Sequence, residues 1–367
     1  MKTSVVSSTS STLILALEEI REKLKKEPDF LILAVSDKYP EEYVIPSIER
    51  TFKTENFIAF NALDAFKDSS LVQGVTVCAL YFTNSGDFSL KEVQDYRDKK
   101  SLKDIISFIN EKKNWIHLFI GSTNESVDSF VNYLSEGLKY RPINNVIGGL
   151  ASGEKPKVFT KNGIIDRGGI FLSLKNFSFQ IGIALGFKPY GVTYTITKAK
   201  NRKIYEIDEK PAPLLFKKLL KGIEEREKIL WFIPLYILDD KEGYVATIRT
   251  PAKLTDEYLE VHGEVKEGTR FKLSFAFPED LLEESKRVAK EVKEKIGSIV
   301  DLIINFSCTA RQFLLDDKSE KEPEIYSSVL NSHLFGFFTC GEIGPDRGLK
   351  KVKLYNETSL IVALREK

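Results

Sequence analysis

Strand-length apolar runs alternate with amphipathic segments along the chain. Runs rich in Val, Ile, Leu and Phe occupy 30–35, 57–61, 74–82, 115–120, 145–150, 169–174, 299–306, 334–339 and 358–364. Segments 41–52, 127–138 and 325–331 instead place apolar residues at helical spacing. The order strand, helix, strand, strand therefore recurs three times, at 30–82, 115–174 and 299–364. Asn162-Gly163 between two apolar runs predicts a tight hairpin, because both residues tolerate the positive φ such a turn needs. A hairpin makes the sheets mixed rather than wholly parallel.

Between the second and third units, 178–185, 192–199, 230–237, 244–248 and 270–275 read as strands. Two helices interrupt them. One opens at Pro211 and runs to about residue 227; the other opens at Pro278 and ends at Gly297. The class is α/β, with α+β-like mixed sheets covered by helices. The charged stretch 221–228 divides it into two associated domains, 1–225 and 226–367. Residues 316–323, dense in charge, read as a solvated loop.

Composition narrows function by exclusion. The 54 basic and 53 acidic residues leave a formal charge of +1, so no global field draws nucleic acid or anionic lipid. No apolar run approaches the roughly 20 residues of a membrane helix, and the N-terminus lacks a signal-peptide shape. Three widely spaced cysteines, Cys78, Cys308 and Cys340, suit a reducing compartment better than a disulfide framework. The expectation is a cytoplasmic protein without nucleic-acid partner or membrane insertion.

Cofactor motifs fail on inspection. After Gly148-Gly149, the stretch ending Gly153-Glu154-Lys155-Pro156 separates lysine from glycine and supplies no following hydroxyl, so it cannot cradle phosphate and Mg²⁺. No Gly-x-Gly-x-x-Gly opens a helix, and His117, His262 and His333 sit in no metal-binding spacing. Spacing alone leaves open a zinc site built from Cys308, Cys340 and His333. His117, inside an apolar strand, reads as a satisfied core histidine. The expectation is no cofactor.

Two strand ends carry the candidate chemistry. The run 299–306 ends in Ser307-Cys308-Thr309-Ala310-Arg311, and 334–339 ends in Thr339-Cys340-Gly341-Glu342. Strand ends are where α/β proteins keep ligands. A buried charge needs a partner or a polar ligand, so Arg311 and Glu342 either pair with each other or face one cleft. In a cleft they could clamp the carboxylate and ammonium of an amino-acid-like ligand. Thr339, Cys308, Cys340, Gly341 and the strand-end Gly149 would line it, and Arg249 could add a cation.

Taken in order, Gly148-Gly149 with Gly153, Asn162-Gly163, the glycines and proline of 182–197, Pro211-Ala212, Cys308-x-x-Arg311, Gly341-Glu342-Ile343-Gly344 and Asn356-x-Thr358 resemble the FIST family over roughly residues 29–364. The resemblance implies N- and C-terminal FIST modules forming a sensory, small-ligand-binding protein of signal transduction. In eukaryotes similar modules accompany an F-box. It also implies a separate signalling output protein, since the two modules leave no room for a kinase or cyclase. Phe337-Phe338 and Cys340 lie where the family pattern varies, so Glu342 is the firmer site residue.

Two other readings compete. One is an enzyme using Cys308 or Cys340 as nucleophile, with Arg311 favouring the thiolate and Glu342 moving protons; neither motif supplies the expected histidine. The other is a protein-interaction scaffold.

Overall fold

The computed structural model describes residues 1–84, 86–222, 229–238, 247–297, 299–346 and 348–367. Its first unit comprises β1 (Lys2–Ser8), α1 (Leu13–Lys23), β2 (Phe30–Val35), α2 (Val44–Phe52), β3 (Phe57–Asn61), a hairpin of β4 (Ala65–Lys67) and β5 (Ser70–Val72), and β6 (Val75–Tyr81). The second repeats the order: β7 (Phe88–Val93), α3 (Lys99–Glu111), β8 (Ile116–Gly121), α4 (Val127–Gly137), β9 (Val146–Leu150), the hairpin β10 (Val158–Thr160) and β11 (Gly163–Ile165), and β12 (Gly169–Leu174).

The third unit opens with β13 (Phe177–Ala184) and is then interrupted by an inserted sheet. That insertion holds β14 (Lys188–Lys200), β15 (Lys203–Ile207), β16 (Lys210–Pro211), α5 (Ala212–Leu219), β17 (Leu235–Ile237), β18 (Ile248–Arg249), β19 (Pro251–Leu254), β20 (Leu259–Val261) and β21 (Arg270–Phe275). The unit resumes with α6 (Pro278–Ile296), β22 (Leu302–Cys308), α7 (Thr309–Leu315), α8 (Lys321–Leu330) and β23 (Leu334–Thr339). The hairpin β24 (Glu342–Pro345) and β25 (Val352–Tyr355), then β26 (Ser359–Glu366), complete it.

Each unit builds its sheet in one order, and each lends its hairpin to a neighbour. The sheets run β1-β6-β2-β3-β10-β11, β7-β12-β8-β9-β24-β25 and β13-β26-β22-β23-β4-β5. Within each, one parallel pair (β2 with β3, β8 with β9, β22 with β23) sits among antiparallel neighbours. The hairpin of the first unit extends the third sheet, that of the second the first, and that of the third the second. The exchange closes a ring of three sheets, and strands from either side of residue 225 share two of them.

Period-two alternation explains the layering. Ile32, Phe60, Leu118, Ile120, Ile304, Phe306, Phe335 and Phe337 belong to one central core to which all three sheets contribute. The intervening residues Leu31, Leu33 and Val35 pack with α1 and α2, Phe119 and Phe171 with α3 and α4, and Ile303 and Phe338 with α6 and α8. With both faces covered, these strands read as nearly continuous apolar runs.

The mixed α/β class is as expected, and several boundaries differ. The helix read from Pro211 stops at Leu219, and only 235–237 of the strand read at 230–237 is extended. Residues 223–228 of the charged stretch and 244–246 of the strand read at 244–248 lie outside the described residues. The loop read at 316–323 is a short helical turn followed by the start of α8, and its Glu322 is buried.

Candidate functional site

The C-terminal ends of the three parallel pairs converge. The Ser152 hydroxyl, just past β9, donates to the Phe338 carbonyl and accepts from the Leu63 amide at 3.0 Å, joining all three units. Cys340 follows β23, and its amide reaches Leu150 O at 3.2 Å while Leu150 N reaches Gly341 O at 3.1 Å.

Of the residues expected to form a site, Cys308, Thr339, Cys340, Gly341, Glu342 and Gly149 are brought together. Gly149 lies opposite Glu342 in the sheet, and Cys308 opposite Thr339. At Gly149 a side chain has no room, since a Cβ would fall 2.6 Å from Phe306 Cδ1 and 2.8 Å from Thr339 Cγ2. Glu342 is sealed from solvent and held by three donors. Thr339 Oγ1 gives to Oε1 at 2.7 Å, while Thr358 Oγ1 and N give to Oε2 at 2.7 and 3.3 Å. Burial pushes its carboxyl up to about 8; the threonine hydrogen bonds oppose the shift, and the nearby Glu357 adds to it.

Sequence reasoning missed Glu357, in the turn between β25 and β26. It is buried with φ near 60°, Thr250 of the inserted sheet donates to its Oε1 at 2.7 Å, and its Oε2 has no hydrogen-bond partner among the described residues. Burial pushes it up to about 8 as well, with the Thr250 bond and the Arg311 charge opposing.

Arg311 belongs to the same neighbourhood, but its partner is Glu322 rather than Glu342. Both are buried, and burial, which by itself would raise the Glu322 carboxyl, is outweighed by Arg311 and by bonds from Ser307 (2.6 Å) and Ser285 (2.8 Å). The guanidinium also donates to Leu185 O at 2.8 Å and to Glu357 O at 3.3 Å. Arg311 thus ties α7 to α8, to the end of β13 and to the turn carrying Glu357. Glu322, Tyr326 and Leu330 are all buried at a spacing of four on α8, and that periodicity was the sequence signal for Glu322.

The thiols differ in access. Cys308 is buried, and burial, with the carboxyls of Glu342 and Glu357 once these ionise, raises its pKa well above the ordinary thiol value. Cys340 is half-buried, beside the hydroxyls of Thr123 and Thr309; burial raises it too, against those two hydrogen bonds. Arg249 is not part of this group. Its Nε donates to Glu264 O at 3.1 Å within the inserted sheet, although the next residue, Thr250, does reach Glu357.

The zinc arrangement of Cys308, Cys340 and His333 is not formed. His333 precedes β23, whereas Cys340 follows it, and the His333 ring bonds Asp68 at 3.1 Å. His117 is a core residue, with ring nitrogens 2.7 Å from Ser173 Oγ and 3.1 Å from Lys112 O; burial lowers its pKa to about 4.

Comparison with known proteins gives a consistent picture. A family model described as the FIST N domain matches residues 3–210, and one described as the FIST C domain matches 212–345. An uncharacterized protein of Aquifex aeolicus (strain VF5) is 28% identical over 262 residues, spanning 66% of this chain and 97% of the relative.

Proposed function

The chain belongs to the FIST family, whose domains are associated with sensory small-ligand binding in signal transduction, and we propose that it senses a small polar metabolite bearing an amine, such as an amino acid, at the strand-end group around Glu342, Glu357 and Cys340. The observation that carries this reading is the pair of buried carboxyls, both pushed up to about 8, of which Glu357 keeps one oxygen without a partner among the described residues. A buried acceptor in that condition is costly, and a ligand ammonium would satisfy it with a charge-assisted hydrogen bond. Half-buried Cys340, Thr123 and Thr309 supply the polar approach from solvent. Arg311, saturated by protein groups, serves the site by holding the Glu357 backbone. The contact from Thr250 to Glu357 spans the inserted sheet and the three-sheet body, so ligand entry moves one against the other and gives the sensor its output.

Binding an ammonium requires a carboxylate, so a proton must leave when the ligand arrives below pH 8. Affinity for an amine therefore rises about tenfold per pH unit between roughly pH 6 and 8 for one proton released. Calorimetric titration of amino acids and simple amines across that range tests the reading. Glu357→Gln should abolish binding while the variant still unfolds cooperatively. Absence of binding by any amine, or unchanged binding by Glu357→Gln, overturns it.

A further inference from the structure

We propose that a second cleft, between the second unit and the inserted sheet, binds a small polyanion carrying phosphate or several carboxylate groups. The cavity holds about 800 Å³, within the range of small-molecule sites, and is separate from the Glu342 group. Five cations reach its wall: Arg97, Lys99, Lys200, Arg202 and Lys203. Three are committed to protein. Arg97 pairs with Asp95, Arg202 with the buried Asp128, and Lys203 lies over the Tyr258 ring at 4.2 Å. The side chains of Lys99, at the start of α3, and Lys200, at the end of β14, form no ion pair or hydrogen bond among the described residues, and they approach from the two sides of the cleft.

Three acids share the wall, of which exposed Glu125 acts on the Arg97 guanidinium. Glu264 accepts from Ser129 at 3.3 Å, and Glu260 lies opposite Lys203 in the sheet. Five cations against three acids leave the wall net positive, and a ligand with at least two negative charges answers the two uncommitted ammonium groups. Asp128 bridges the two bodies where they meet, accepting from Arg202 Nε at 3.0 Å through one oxygen and from the Glu264 amide at 3.0 Å through the other. Half-buried Tyr133 and Tyr205 offer flat apolar walls for the ligand's carbon skeleton. A zwitterionic amino acid, the class proposed for the strand ends, lacks the net charge this cleft selects.

Calorimetric titration of the full chain with pyrophosphate, citrate and adenosine monophosphate at low ionic strength is the test, with acetate as the monovalent control. At least one polyanion should bind below about 1 mM, weaken as salt rises, and weaken about tenfold or more in the double variant Lys99→Glu, Lys200→Glu. These exposed positions leave folding intact, and Glu357→Gln should bind the polyanion as the parent does. No polyanion binding below that range, equal binding of acetate, or an unaffected double variant overturns the proposal. So does tight binding of single-stranded RNA that none of the small anions competes away.

Discussion

Arg311 and Glu322 meet in an interior from which both side chains are excluded from water, and every other bond the guanidinium makes is to protein backbone or to Ser285. Breaking one side of such a pair leaves a charge without compensation. Arg311→Met should lower stability by about 3–5 kcal/mol, whereas the double variant Arg311→Met, Glu322→Leu should regain much of that loss. Urea unfolding of the single and double variants measures both, and a double variant no better than the single would show that the backbone bonds matter more than the pair.

The two raised carboxyls predict an unusual pH profile. Glu342 and Glu357 hold protons in the folded state up to about pH 8, while in the unfolded chain they release them near 4.5. The folded state binds more protons between those values, so stability falls as pH rises. Below about 6.5 the buried His117 and His262 pull the other way, because their folded pKa values are depressed and the unfolded chain takes up the protons. The clean window is therefore pH 6.5 to 8, where each glutamate contributes a slope of up to about 1.4 kcal/mol per pH unit. Unfolding free energy should decline across that window, and Glu342→Gln should reduce the slope; near pH 9 and above, the three raised thiols continue the decline, because the unfolded chain releases protons that the folded chain keeps. A flat profile in the parent protein would place both carboxyls in their ordinary range.

The three-unit repeat was legible because period-two alternation and helical spacing are local properties of the chain. The hairpin exchange was not, since three-residue strands such as Ala65–Lys67 carry no pattern that names a partner in another unit. At the site, the strand ends with Cys308 and Glu342 could be read from apolar runs ending in polar residues. The pairing of Arg311 could not, because Glu322 sits in a string of charges whose bulk composition says solvent while its own position says core. Glu357 was hidden for a related reason. A lone acid in a short turn is exposed by default, and the long-range partners that hold this one inside, Thr250 of the inserted sheet and Arg311, leave no mark in the local sequence.

Gly149 makes the close approach of β9 to the Glu342 group possible. Gly149→Ala should destabilise by about 1–3 kcal/mol, since the new methyl must displace the Phe306 ring or the Thr339 methyl. Moving Thr339 also loosens its bond to Glu342, so the alanine variant should lose amine binding beyond what its stability loss explains. Adding Phe306→Leu should recover part of the stability. Thermal unfolding and amine titration of the two variants separate packing from recognition.

The thiols decide between recognition and covalent chemistry at these strand ends. A nucleophilic cysteine needs its thiolate favoured, by a cation or an adjacent base. Here burial raises both Cys308 and Cys340, the carboxyls of Glu342 and Glu357 raise Cys308 further, and the charge of Arg311 is matched by Glu322. Cys78 is buried in the central core and raised by desolvation alone. Iodoacetamide at pH 7.5 should therefore modify none of the three quickly in the native protein and all three in urea, with Cys340, the least buried of them, the first to react on long incubation. Mass spectrometry of the peptides reads the order directly. Rapid labelling confined to Cys340 would mean that solvent and its hydroxyl neighbours stabilise the thiolate more than burial opposes it, and the enzyme reading would then regain its nucleophile.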